Sequence, residues 1–177
     1  EIIKMGPVYH GLVKAGFDTR VLHTGQHDEM ARPLYSFFRM QPSYSITLTR
    51  ERPGLGHLGG RLMDEIDAVL SRAEADAVLV HGDTTSALMG ALAAFGQRIP
   101  IGHVEAGLRS YNELDPFPEE MNRTLISRLA QWNFAPTGLA VQNLLDERVD
   151  HDRIHMVGNS IVDATRMALQ QAVSLYS

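Results

Sequence analysis

The sequence has no cysteine among its 177 residues. This absence excludes disulfide bonds, a thiolate nucleophile and zinc held by cysteine, and it fits a reducing compartment. The sequence also has no apolar run near the roughly 20 residues that a membrane-spanning helix needs. No charged stretch followed by an apolar core marks a secretion signal. We therefore expect a cytoplasmic protein that does not insert into a membrane.

Positive charge is scarce as well. The 16 Lys and Arg residues are outnumbered by 21 Asp and Glu residues, and the formal net charge is -5. This balance argues against a nucleic-acid-binding surface, so an anionic ligand must be held by local groups. With 44% hydrophobic residues, the chain is long enough for one buried core and too short for two full domains. We expect one domain over residues 1–177.

Apolar runs of strand length alternate with stretches of helical periodicity along the chain. The pattern predicts strands at residues 17–23, 44–48, 77–81, 99–104, 132–135 and 154–157, with helices between them. Pro33 is expected to disrupt the second helix, because proline lacks the N–H that bonds to the preceding turn. The alternation favours an α/β fold, a Rossmann-like parallel sheet wound with helices on both faces.

Acidic residues follow two of the predicted strands. Asp83 comes just after the strand at 77–81, and Glu105 comes directly after the next strand. In an open parallel sheet the ligand crevice lies at the carboxyl ends of the strands, so we expect both acids to face one crevice. Glu119 and Glu120 stand at the start of a predicted helix. Attraction to the exposed helix amides is a sufficient reason for one of them.

Two histidines each precede one of these acids by two positions. His81 precedes Asp83, and His103 precedes Glu105. Residues two apart in a strand share a face, so each histidine is placed to orient its acid. Buried strand histidines satisfied by the backbone are as common. The sequence leaves these two interpretations open.

Cofactor and metal motifs are weak. Residues 54–59 match the dinucleotide pattern G-x-G-x-x-G, but the first glycine does not stand at a strand end, so the context is wrong. His151 and His155 are four residues apart, yet they fall in a predicted turn and strand, where solvated histidines are the simpler interpretation. We expect no cofactor and no metal.

The chain resembles the non-hydrolysing UDP-N-acetylglucosamine 2-epimerases nearly from end to end. The motifs that carry the resemblance, in the family's order, are IIKMGP, TGQHDEM, VLVHGDTTS, GHVEAGLRS, PFPEEMNR, FAPT and VGNSIVDA. The resemblance implies two Rossmann-like domains in the glycosyltransferase-B arrangement, with the active site between them. It implies that this chain is the first of these domains, without its first strand, and that the chain alone is inactive.

The resemblance also implies a reaction. The family interconverts UDP-N-acetylglucosamine and UDP-N-acetylmannosamine by elimination and re-addition of UDP, through a 2-acetamidoglucal intermediate. Its motifs assign the catalytic acids to Asp83, Glu105 and Glu119, and they match Lys4 and Arg109 to basic residues near the substrate. The C2 hydrogen is not acidic, so positioned carboxylates acting in the transition state suit this chemistry.

A second site and a second copy are implied too. The family has a regulatory UDP-N-acetylglucosamine site, whose contacts map to Gln26, His27 and Arg52. A homodimer is expected of the complete enzyme. The alternatives that remain open are a nucleotide-sugar-binding module without turnover, a hydrolysing epimerase and a glycosyltransferase of the same build.

Overall fold

The computed structural model describes residues 1–25, 28–48 and 53–176. The chain divides into two compact units, one of Glu1–Thr47 with Asn159–Ser177 and one of Leu48–Gly158. The expectation of one domain over the whole chain stays a prediction. Of the helices in the described part of the chain, none is long and apolar enough to cross a membrane.

The first unit is mostly helical. Its elements are α1 (Ile2–Lys14), β1 (Leu22–His23), α2 (Asp28–Phe37), β2 (Tyr44–Ser45) and, from the end of the chain, α7 (Ile161–Tyr176). The two short strands pair in parallel, with Leu22 opposite Tyr44. Its core contains Tyr35 and Phe38 from the α2 region and Ala164 from α7. The strands are shorter than the predicted runs at 17–23 and 44–48.

The expected break at Pro33 is wrong, because α2 runs through Pro33 without interruption. Proline removes only its own N–H bond from the helix. Ala31 and Tyr35 flank Pro33 and are both buried in the core of the unit. Packing of these side chains therefore outweighs the local cost that the sequence pattern indicates.

The second unit is built on a parallel sheet. Its strands are β3 (Val78–His81), β4 (Ile101–Val104), β5 (Trp132–Ala135) and β6 (Ile154–Met156), hydrogen-bonded in that order. All three strand pairs are parallel. The α/β class with parallel sheets is thus confirmed. Every residue of β4 is buried, as expected of a strand covered on both faces.

Helices connect the strands of this unit. They are α3 (Leu55–Ala73), α4 (Thr85–Gly96), α5 (Glu119–Leu129) and α6 (Gly138–Asp146), and a short 3₁₀ helix at His151–Arg153 precedes β6. Helix α4 contacts both α3 and α5. It does so with small residues, since Ala91, Ala93 and Ala94 are fully buried. Threonine side chains cap both α4 and α6, because Thr84 Oγ1 accepts from the Ala87 amide and Thr137 Oγ1 accepts from the Ala140 amide.

Gly107 marks where the loop after β4 passes closest to α6. A Cβ atom at this position would lie 2.2 Å from the Ala140 carbonyl oxygen, and the glycine has a φ of +86°. Gly107→Ala is expected to lower the free energy of unfolding by at least about 1 kcal/mol, because the left-handed backbone and the contact both oppose the methyl group. Urea unfolding of the intact protein measures the change.

Gly60→Ala is the matched control for that substitution. Gly60 lies inside α3, and nothing is within 4 Å of the position of its Cβ. The same added methyl group should stabilise the protein by about 0.5–1 kcal/mol there, since alanine favours the helix interior. Equal effects of the two substitutions would show that close approach does not require Gly107.

Candidate active site

The carboxyl ends of β3 and β4 lie side by side. His81 pairs with Val104 in the ladder, and the Gly82 amide donates to the Val104 carbonyl at 3.0 Å. Asp83 and Glu105 therefore leave adjacent strands at the same edge of the sheet. Glu105 has a φ of +66°, which is rare for a residue with a side chain. Backbone strain of this kind collects at functional sites.

Glu105 approaches a histidine of the neighbouring strand. The His81 Nε2 atom lies 3.2 Å from Glu105 Oε2, with side-chain exposures of 7% and 13%. Among the described residues, neither nitrogen of His81 has an aligned hydrogen-bond partner, so the contact has the distance of an ion pair without the angle of a hydrogen bond. The histidine is thus placed beside the acid of the next strand.

His103 has the opposite environment. It is fully buried, its Nε2 atom lies 2.7 Å from the Gly82 carbonyl, and its Nδ1 atom lies 3.3 Å from Ser127 Oγ. Burial lowers the pKa of His103 to about 4, so the ring is neutral at pH 7 and its Nε2–H donates to Gly82. For His103, satisfaction by the backbone is confirmed, and the ring holds the turn that leads to Asp83.

Helix α5 carries the third predicted acid. Asn122 Nδ2 donates to the Asp83 carbonyl at 2.8 Å, and Arg123 Nη1 lies 3.5 Å from Asp83 Oδ2. Glu119 is three and four positions before these residues and so shares their side of the helix. Glu119 is half-buried, and its carboxylate makes no hydrogen bond or ion pair that the described structure contains. It remains available to a ligand.

The neighbouring acid, Glu120, is fully engaged. Its carboxylate is 4% exposed and accepts from the Ser110 and Tyr111 amides at 3.0 Å each and from the Arg123 guanidinium at 2.7 Å. Burial alone would raise the pKa of Glu120, but the two amides and Arg123 outweigh it and hold that pKa below its ordinary value. Glu120 ties the loop after β4 to α5.

Arg123 joins these groups, although it was given no role among the site residues predicted from the sequence. Its side chain is 12% exposed and spans Glu120 and Asp83. The spacing of Glu120 and Arg123, three residues apart on one helix, was the available signal. No sequence signal indicated the contact between Arg123 and Asp83, because the two residues lie far apart in the chain.

Glu120→Gln should make unfolding of the intact protein less dependent on pH. A carboxyl whose pKa is depressed by folding stabilises the fold above its ordinary value of 4.5 and loses that contribution as the pH falls through the lower, folded value. The melting temperature should therefore fall steeply from pH 7 to pH 3 in the wild type and less steeply in the variant. At pH 7 the variant should be destabilised by about 1–3 kcal/mol.

Glu119→Gln is the control for this experiment, because it makes the same change one position earlier. Its melting temperature should follow the wild type across the pH range, since the Glu119 carboxylate has no bond to lose in the described structure. Parallel pH profiles for Glu120→Gln and the wild type would refute the role assigned to the Glu120 carboxylate.

Arg109 is buried in an ion pair. Its side chain is fully buried and bonds Glu147 twice, from Nε at 2.6 Å and from Nη2 at 2.8 Å. The same guanidinium donates to the Leu108 carbonyl and to Ser127 Oγ. A substrate contact of Arg109 stays a prediction. Through these bonds Arg109 links the loop after β4 to the end of α6.

The remaining predicted residues are Lys4, Gln26, His27 and Arg52. Lys4 lies in α1, which belongs to the first unit. Gln26, His27 and Arg52 lie outside the described residues. Within the described ranges, no group of three or more His, Asp or Glu side chains has the geometry to hold a metal ion.

Comparison with known proteins settles the family. A family model described as UDP-N-acetylglucosamine 2-epimerase matches residues 12–177. The chain belongs to the UDP-N-acetylglucosamine 2-epimerase family. The resemblance found in the sequence motifs is thus confirmed.

Relatives in this epimerase family are similar over nearly the whole chain. The UDP-N-acetylglucosamine 2-epimerase of Escherichia coli K12 is 43% identical over 175 residues, 98% of this chain and 46% of the relative. That of Bacillus subtilis is 39% identical over 175 residues, with the same coverage of 98% and 46%. The chain therefore spans about half the length of the curated relatives that it matches.

Solved structures of the epimerase family are equally similar. The crystal structure of the Neisseria meningitidis enzyme bound to UDP-GlcNAc has a TM-score of 0.91 and 40% identity, covering 96% of this chain and 46% of that one. The Methanocaldococcus jannaschii enzyme in complex with UDP-GlcNAc and UDP has a TM-score of 0.89 and 38% identity, covering 97% and 47%.

Proposed function

We propose that the whole protein interconverts UDP-N-acetylglucosamine and UDP-N-acetylmannosamine by eliminating and re-adding UDP. The observation that carries the proposal is the convergence of Asp83, Glu105 and the Glu119 side of α5 at one edge of the sheet. Membership of the family supports the same reaction. Half of the relatives' length is represented here, so the activity belongs to the protein as a whole.

The reaction needs both a general base and a general acid. A base removes the C2 proton as the bond to UDP breaks, and an acid returns a proton to the opposite face of the glycal before UDP adds again. Carboxylates placed on both sides of the sugar meet this need, since general acid–base groups act only within hydrogen-bond reach of the proton. Glu105 on the strand side and Glu119 on the helix side are suited to these two duties.

Incubation of the intact protein with UDP-N-acetylglucosamine in deuterium oxide tests this function. NMR spectroscopy should show UDP-N-acetylmannosamine with deuterium at C2. Accumulation of free UDP and free sugar would instead indicate a hydrolysing epimerase. Binding of the nucleotide sugar with no deuterium at C2 would indicate a binding module and contradict the proposal.

Further parts of the proposal rest on the sequence and on the resemblance. They are contacts of Lys4 and Arg109 with the substrate, an effector site at Gln26, His27 and Arg52, a homodimer and a cytoplasmic location. The sequence predicts loops after two different strands for the effector residues, and a guanidinium group together with a side-chain amide suits a diphosphate or sugar hydroxyls.

A further inference from the structure

The two buried histidines at the edge of the sheet differ in how their nitrogens are satisfied. Both nitrogens of His103 have partners, whereas His81 is 9% exposed and neither nitrogen has an aligned hydrogen-bond partner in the described structure. A buried polar group left without a partner destabilises the folded state. Native folds rarely keep such a group, so His81 calls for an explanation.

The carboxylate nearest to His81 is the one whose backbone is strained. Glu105 Oε2 lies 3.2 Å from His81 Nε2, close enough for a hydrogen bond once the two groups turn toward each other. The φ of +66° at Glu105 turns the chain directly after β4, at the level of His81 on β3. Catalytic hydrogen bonds are often misaligned in a free enzyme and tighten when the substrate binds.

We propose that His81 is a positioning residue for Glu105. Its Nε2–H donates to Glu105 Oε2 when the substrate is bound and fixes the direction in which the other carboxylate oxygen faces the sugar C2. This inference rests on the proposed function, because it assigns Glu105 the proton transfer. The histidine itself exchanges no proton with the sugar.

The expected size of the effect follows from geometry. A glutamate side chain has three rotatable bonds, so the direction of its carboxylate depends on the contacts that hold it. Misplacement of a reacting group by about 1 Å costs on the order of 100-fold in rate. Loss of the His81 donor should therefore lower kcat by about 10- to 100-fold and leave KM nearly unchanged.

Two substitutions separate positioning from packing. The side-chain amide of His81→Gln offers an N–H near the position of Nε2, whereas His81→Leu offers only apolar volume. If His81 positions Glu105, the glutamine variant should recover most of the kcat that the leucine variant loses. A packing role predicts the reverse order, because leucine is the better buried residue. That reverse order would overturn the proposal.

A double-mutant cycle gives the second readout. If His81 acts through Glu105, the double variant His81→Leu/Glu105→Gln should be no slower than Glu105→Gln alone. If the two losses multiply, the histidine acts independently and the inference is wrong.

The last readout needs no turnover and so separates this inference from the proposed function. The Glu105 carboxylate already lies 3.2 Å from His81 Nε2 without a ligand. Nitrogen-15 NMR of the imidazoles in the ligand-free intact protein should therefore show the His81 Nε2 signal moving between the wild type and Glu105→Gln. The His103 signals, whose partners are untouched, should stay in place as the internal control. If the wild type shows this shift but has no epimerase activity, the proposed function is refuted and the contact between His81 and Glu105 is supported. An active wild type with an unmoved His81 signal would overturn the pair.

Discussion

Glu105→Gln in the intact protein should lower kcat by on the order of 100-fold or more, with little change in KM. Glutamine keeps the size of the side chain but removes the base. The variant therefore loses stabilisation of the transition state rather than binding of the substrate. Asp83→Asn and Glu119→Gln should lower kcat by the same order. Asp83 lies at the same edge of the sheet, and Glu119 lies on the side of α5 whose residues contact Asp83. Initial rates of UDP-N-acetylmannosamine formation over a range of substrate concentrations measure both constants.

The control for these acids is Glu113→Gln. Glu113 is exposed in the loop between β4 and α5. The same isosteric change should leave kcat and KM as in the wild type. Exchange of the C2 hydrogen with deuterium at a near-normal rate in the Glu105→Gln protein would remove Glu105 from the proton transfer.

Glu147→Gln should cost about 3 kcal/mol of the free energy of unfolding, the lower end of the loss measured when one partner of a buried ion pair is removed. Its partner Arg109 is fully buried, whereas the Glu147 side chain is 20% exposed, and water reaching that side limits the loss. The variant leaves the Arg109 guanidinium charged and without its carboxylate in the interior. Urea unfolding of the intact protein at pH 7 provides the measurement.

Glu65→Gln removes a comparable carboxylate from an exposed pair of the same unit. On α3, Arg61 Nη2 lies 3.4 Å from Glu65 Oε1, and the two side chains are 43% and 42% exposed. That change should cost less than about 0.5 kcal/mol. Equal losses for Glu147→Gln and Glu65→Gln would show that the Arg109 pair contributes no more than a surface contact.

Local patterns were enough to predict the class of fold. The strand predicted at 132–135 matches β5, and the acidic residues Glu119 and Glu120 stand at the start of α5 as predicted. Such features depend on residues close in sequence, where periodicity and capping chemistry operate. Pro33 shows the limit of local patterns, because buried neighbours from the rest of the unit keep α2 intact across it.

The sequence by itself determined the two strand ends at which Asp83 and Glu105 stand, and the parallel pairing of consecutive strands made those ends neighbours. It also placed two glutamates at the start of α5 without distinguishing their duties. Only the tertiary structure decided that Glu120 binds the loop amides while Glu119 stays available.

The partners of the remaining charged groups were decided in the same way. His81 meets Glu105 across two strands rather than Asp83 along its own, and Arg109 meets Glu147 from another helix. These contacts join residues more than twenty positions apart, which no local pattern encodes. Burial then decides between a free and a bound charge, because a charged group taken out of water must find a partner of opposite sign wherever the fold brings one.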